Sequence, residues 1–266
     1  MKQRFIICIT ICIFLGLLPV DAYQHSDFIT IKQLRKCNKQ IERNPSNSKL
    51  YVKRGYLNFM VGNYNDALLD YETAKKYDSK NPDIYYGIAK MQYILKDYDN
   101  SLENYTKSIK LKPKDAKSYV GRGLVKEVCG NTKGAIDDYT LAIKVNKKYT
   151  KAYVNRGIVK AKLKNYSGAL QDFEKAIKID KYASDAHYNR ALTLCQLKRY
   201  EQAIEDYNMA IELDAYYELA YYHRGLTYFV LKEYEKARLD MIKTIDLNPY
   251  NKEAREKLSE LRDLYN

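Results

Sequence analysis

The sequence predicts an all-α solenoid of six helix-turn-helix units, and three observations carry that expectation. One phrase recurs at multiples of 34 residues: "LYVKRG" ends at Gly55, "SYVGRG" at Gly123, "AYVNRG" at Gly157 and "AYYHRG" at Gly225. Aligned on that period from Ser48, the chain divides into repeats 48–81, 82–115, 116–149, 150–183, 184–217 and 218–251 without insertion or deletion. A fixed period of this size marks stacked supersecondary units. Within each repeat, small and aromatic residues fall three or four apart, which is the spacing of one helix face. Place 8 reads Gly55, Ala89, Gly123, Gly157, Ala191, Gly225; place 20 reads Ala67, Ser101, Ala135, Ala169, Ala203, Ala237.

In chain order, the first element is residues 1–22. Lys2 and Arg4 precede an apolar run from Phe5 to Leu18, and Val20 and Ala22 are the small residues a signal peptidase favours, so this stretch reads as a secretory signal. The run is shorter than the roughly 20 residues a membrane span needs. Export to a periplasm, a lumen or the extracellular space is expected, with no stable membrane insertion after cleavage; the alternative is that the segment is kept as an uncleaved anchor. Residues 23–47, "DFITIKQLRKCNKQIERNPSN" at their core, predict a leading cap helix from Asp27 to Arg43.

Each repeat then predicts two helices, over places 2 to 14 and 18 to 30, broken by polar stretches such as "KNYSG" and "KRYEQ". Small residues at places 8, 20 and 27 let the backbones approach, and the aromatics at places 4 and 24 fill the space between. Neither helix buries its face alone, so stability comes from contacts between neighbours. Residues 252–266, "KEAREKLSELRDLYN", place Ala254, Leu258, Leu261 and Leu264 on one side and charges on the other, as a C-terminal capping helix requires.

This pattern resembles the tetratricopeptide repeat over 204 of 266 residues. Two features depart from that family: place 4 carries tyrosine where tryptophan is usual, and the usual proline at place 32 survives only as Pro113 and Pro249. The resemblance implies a right-handed superhelix whose concave surface is lined by places 2, 5, 6, 9, 12 and 13 of the first helices, and a protein or peptide as partner.

A charge pattern runs through the array. Place 7 reads Arg54, Ile88, Arg122, Arg156, Arg190, Arg224, and place 23 reads Asp70, Asn104, Asp138, Asp172, Asp206, Asp240. The repeat that loses its arginine also loses its aspartate, which predicts a structural ion pair between the two helices of each other repeat.

Composition narrows function further. The formal net charge is +13, concentrated in repeats three and four, while repeat five is acidic; an anionic partner at repeats three and four is expected. Nucleic acid is not, because no nucleic-acid motif accompanies the charge. The chain has no HExxH, no glycine-rich phosphate loop and no GxSxG, so no catalytic, cofactor or metal site is expected and the chain reads as a non-enzyme. Cys37, Cys129 and Cys195 lie in distant repeats and read as free, mostly packed thiols. Of the two N-x-S/T sequons, Asn165 falls in a turn and Asn104 at the place of the paired aspartate.

The remaining reading is an exported adaptor. The groove places implied by the resemblance put Lys117 and Lys151 at place 2, Tyr188 and Tyr222 at place 5, and Asn155, Asn189 and His223 at place 6. Co-chaperone repeats that clamp a carboxylate use lysine at place 5 and asparagine at place 9; here place 5 is valine or tyrosine, so that clamp is not built. Asn155 and Asn189 look like two rungs of the asparagine ladder of O-GlcNAc transferase. The alternatives are a structural protein that self-associates, and an accessory subunit of an enzyme complex.

Overall fold

The computed structural model describes residues 20–263, and among these it contains fourteen α-helices and no strand. Of the expected signal only Val20 to Ala22 fall inside that range; residues 1–19 and 264–266, including Leu264, lie outside the described residues. The chain falls into two compact bodies, residues 20–152 and residues from 153 onward.

The N-terminal body holds α1 (Val20–Arg43), α2 (Ser48–Met60), α3 (Tyr64–Tyr77), α4 (Pro82–Ile94), α5 (Tyr98–Leu111), α6 (Ala116–Val128) and α7 (Thr132–Val145). The boundary falls inside α8 (Thr150–Lys162). Then follow α9 (Tyr166–Ile179), α10 (Ser184–Gln196), α11 (Tyr200–Leu213), α12 (Glu218–Val230), α13 (Tyr234–Leu247) and α14 (Lys252–Asp263). Each repeat thus spends places 1–13 on its first helix and 17–30 on its second, a residue earlier than expected at most ends. The leading helix also begins at Val20 instead of Asp27, since no glycine or proline interrupts the chain between Pro19 and Arg43.

Burial follows the small-and-large pattern. The place-20 residues Ala67, Ser101, Ala135, Ala169, Ala203 and Ala237 are all fully buried, and Tyr139, Phe173, Tyr207 and Met241 of place 24 are equally so. In the N-terminal body one cluster draws Cys37 and Ile41 from α1, Tyr51 and Leu57 from α2, Tyr71 from α3 and Ile84 and Met91 from α4. In the C-terminal body Ala237, Met241, Ala254 and Leu261 close the end of the array. The glycine at place 6 of repeat two is a packing requirement: a Cβ at Gly87 would meet the Tyr71 ring at 2.6 Å.

Tyrosine at place 4 has a polar role beside its packing one. Tyr51, Tyr85 and Tyr119 each donate a phenolic hydrogen bond to the carbonyl six residues earlier, on Pro45 (2.8 Å), Ser79 (2.9 Å) and Pro113 (3.2 Å). In these three repeats the hydroxyl ties the start of the first helix to the loop before it.

The turn inside every repeat needs one residue in the left-handed region, always at place 15. Glycine supplies it at Gly62 and Gly130, but Lys96, Lys164, Lys198 and Lys232 adopt φ of 57 to 65°. That conformation costs an L-residue about 1–2 kcal/mol, and a glycine gives back about 0.4–1 kcal/mol of it as chain entropy. Lys164→Gly and Lys198→Gly are therefore each expected to raise stability by about 0.5–1 kcal/mol in urea melts. Gly62→Ala should lower it by a similar amount.

Candidate functional site

The arginine ladder sets the frame. Arg54 donates to Asp70 through Nη2 at 2.6 Å, Arg122 to Asp138 through Nε at 2.9 Å and Nη2 at 2.7 Å, and Arg156 to Asp172 at 2.9 and 2.6 Å. Arg190 meets Asp206 at 2.6 and 2.7 Å, and Arg224 meets Asp240 at 2.9 and 2.7 Å. The five aspartate side chains are at most 7% exposed. Lys126 and Lys160 add a second cation to Asp138 and Asp172. In repeat two Ile88 is buried and Asn104 donates instead to Gln92 at 3.0 Å, a neutral substitute for the pair.

The third guanidinium arm crosses to the preceding repeat. Arg54, Arg122 and Arg224 reach place 25 of the repeat before, at Asn38 (2.9 Å), Thr106 (3.2 Å) and Asn208 (2.6 Å). These arginines therefore hold repeats to each other as well as helices within a repeat, a function sequence reading missed although place 25 is short and polar at each of these junctions. Repeat five differs. Its place-25 neighbour is Glu174, Arg190 Nη1 has no such partner among the described residues, and an open cleft of about 200 Å³ lies there, lined by Leu170, Glu174, Arg190 and Arg199 among others. Repeat five also has Leu194 at the place of Lys126 and Lys160, and the buried His187 of place 4 supplies the further donor to the aspartate, with Nδ1 3.0 Å from Asp206. Burial alone would push the Asp206 carboxyl up, but the His187 and Arg190 donors together hold it below the ordinary carboxylate range.

With those charges spent, the first-helix face is what remains for a ligand. In the N-terminal body Lys117 and Lys151 are exposed and form no ion pair among the described residues, and Lys90 rests its ammonium 3.6 Å from the centroid of Phe59. In the C-terminal body Asn155, Asn189, Tyr222 and His223 are half-buried. Asn189 turns its amide nitrogen back to the Asp185 carbonyl of its own helix at 2.7 Å, so it presents less to a ligand than the expected ladder rung would.

Tyr188 corrects an expectation. It is 7% exposed and belongs to the core, because Tyr217 folds over it at 4.8 Å between centroids while Tyr207 supports it from below at 6.1 Å. The His223 ring lies 5.9 Å from Tyr188 and 5.1 Å from Tyr222, giving a continuous aromatic surface with Tyr188 as its floor. Burial holds the His223 imidazole below its ordinary range, so it is neutral near pH 7.

The three thiols are free and mostly packed, as expected, with one exception. Cys37 is buried and Cys195 half-buried, but Cys129 is exposed because it sits at place 14, the last residue before the turn. Asn165 is exposed and its Oδ1 accepts from Gly168 N at 3.0 Å, capping α9, while Asn104 is held by Gln92 and its own helix. Among the described residues no three His, Cys, Asp or Glu side chains are placed to hold a metal ion, and no helix is long and apolar enough to cross a membrane.

Family models described as tetratricopeptide repeat match residues 82–115, 150–182, 184–217 and 219–251, half of the chain. No curated protein matches it. Among solved structures, a tetratricopeptide repeat protein from Parabacteroides merdae is 21% identical with a TM-score of 0.68, covering 91% of this chain and 96% of its own. The APC/C hetero-tetramer Cut9-Hcn1 gives 17% identity and a TM-score of 0.77, covering 86% of this chain, which spans 46% of the matched one. YrrB, described as a TPR protein with an unusual peptide-binding site, gives 24% identity, a TM-score of 0.51 and coverage of 69% and 95%. At these identities the neighbours speak for the fold, and together with the matched repeats they establish that this chain belongs to the tetratricopeptide repeat family.

Proposed function

We propose that the protein is a non-enzymatic adaptor, exported from the cytoplasm, that holds an extended or helical segment of a partner protein against the exposed face of its first helices. Tetratricopeptide repeats are interaction scaffolds, so the coarse role follows from the family. The observation that carries the finer reading is a contrast in how polar groups are used. On the second-helix side the place-23 carboxylates are consumed by the arginine ladder, whereas the side chains of Lys117, Lys151, Asn155, Tyr222 and His223 form no hydrogen bond or ion pair among the described residues. Extended peptides and amphipathic helices are recognised by such rows of spaced polar and aromatic groups. Lys117 and Lys151 suit an acidic stretch of that partner. The peptide-binding site in YrrB's description belongs to YrrB, and it supports the reading by showing this architecture in that use. Export rests on Lys2, Arg4 and the Phe5 to Leu18 run.

The test is affinity capture from an extracytoplasmic extract with the wild-type chain and with Asn155→Ala, Asn189→Ala, Tyr222→Ala combined. A partner retained by the first and lost by the folded second is expected. Equal capture by both would place recognition elsewhere and refute the groove.

A further inference from the structure

The aromatic surface of the C-terminal body is rimmed by three carboxylates that form no ion pair among the described residues. Glu218 opens α12 and accepts from the amide of Asn251; Glu253 and Glu256 stand at places 2 and 5 of the register continued into α14. None of the three forms an ion pair among the described residues. Lys257, beside Glu256 on α14, is committed to Glu260, and its ammonium lies 4.1 Å from the centroid of the Phe229 ring of α12. All three carboxylates, and Lys257 with them, bear electrostatically on the Tyr222 hydroxyl, which burial and this acidic rim raise above its ordinary range. Tyr222 packs with Ala254, Leu258 and Leu261 of α14, the helix that carries Glu253 and Glu256, so its ring lies beside the negative rim, with the His223 ring 5.1 Å away and the buried Tyr188 behind His223.

We propose that this face takes a lysine- or arginine-bearing extended segment of the partner, its cation seated against Tyr222 and His223 between the Glu218, Glu253 and Glu256 carboxylates. The chemistry is complementary on two counts: ring faces attract cations through their quadrupole, and the carboxylates supply the opposite charge. An anionic segment would meet three like charges here. The neutral imidazole adds a ring face without adding positive charge. This assignment rests on the adaptor reading and specifies the chemistry of the ligand taken by the C-terminal body.

The probes are two fluorescent peptide pools, one with Lys or Arg at alternate positions and one with Asp or Glu, titrated into the full chain and followed by polarisation. The cationic pool is expected to bind more tightly, and Glu218→Gln, Glu253→Gln and Glu256→Gln combined should weaken it by roughly tenfold. Glu201→Gln, Glu205→Gln and Glu212→Gln remove the same charge from α11 and should leave binding unchanged. Equal weakening by the two triple variants would reduce the effect to the diffuse charge of the body and overturn the assignment, as would equal binding of the acidic pool. A self-associated chain that dissociates in the first triple variant would assign the face to a second copy and also overturn it. If a partner is captured and lost in the Asn155, Asn189 and Tyr222 variant while the cationic pool fails to bind, the adaptor reading stands and this one falls.

Discussion

Asp138→Asn is expected to lower the thermal unfolding midpoint by about 10 °C, and Asp137→Asn, one residue away, by less than about 2 °C. The two aspartates are neighbours in sequence and opposite in circumstance. Asp137 is exposed and forms no ion pair among the described residues, whereas the Asp138 side chain is 1% exposed and receives both Arg122 and Lys126. Removing its charge leaves two cations, 18% and 23% exposed, facing a neutral amide. Breaking one side of a buried pair costs about 3–5 kcal/mol, and some access of water to Arg122 and Lys126 argues for the lower end. The damage spreads further than one repeat, because Arg122 also bonds Thr106 of the repeat before. Calorimetry and urea titration of the two variants check this; equal small effects would mean that water screens the ladder.

A second change separates the pair from its geometry. Repeat two already lacks both charges and is intact, with Ile88 buried and Asn104 bonded to Gln92. Installing that neutral set in repeat three, as Arg122→Ile, Asp138→Asn and Lys126→Gln, should cost less than Asp138→Asn alone. Replacing every member of a buried ionic cluster removes the uncompensated charge that makes the single variant expensive.

The period made the repeats legible, since an uninterrupted 34-residue spacing leaves one way to phase the helices. The paired loss of Arg and Asp in repeat two was equally readable. What the residues did not announce was positional. Place 15 holds lysine four times in a left-handed turn, and only Gly62 and Gly130 hinted that this backbone was needed. Tyr188 shares place 5 with Tyr222, yet its burial depends on Tyr217, a place-34 residue that is aromatic also at Tyr149 but is Asn81, Asp115, Ala183 and Asn251 in the other repeats. A face assignment made by register alone could not see that covering ring. The same limit applies to the candidate site, where the carboxylate rim draws on two different helices and stands out only once α12 and α14 are placed.

Raising the pH is expected to unfold the protein between about pH 10 and 12, with tyrosinate absorbance and loss of helical circular dichroism rising together. The chain has 28 tyrosines and several are deeply packed. Burial pushes the Tyr71 hydroxyl up to about 12, with Asp70 adding to it, and burial does the same for Tyr86. Tyr105, Tyr139 and Tyr207 are pushed up further, again chiefly by burial. A tyrosine is neutral when protonated, so a raised folded value means that stability is complete below the unfolded value of about 10 and is withdrawn as pH climbs toward the folded value. For Tyr71 and Tyr86 a rise from 10 to about 12 corresponds to about 3 kcal/mol each, set against a total of about 5–15 kcal/mol for a folded domain. Neither hydroxyl donates a hydrogen bond among the described residues, so Tyr71→Phe with Tyr86→Phe removes two titrating groups at little structural cost, and the alkaline midpoint of the N-terminal body should move upward. Tyrosinate appearing near pH 10 while helicity stays intact would show that water already reaches these rings, and that the aromatic packing between repeats is looser than the close approach of Gly87 to the Tyr71 ring requires.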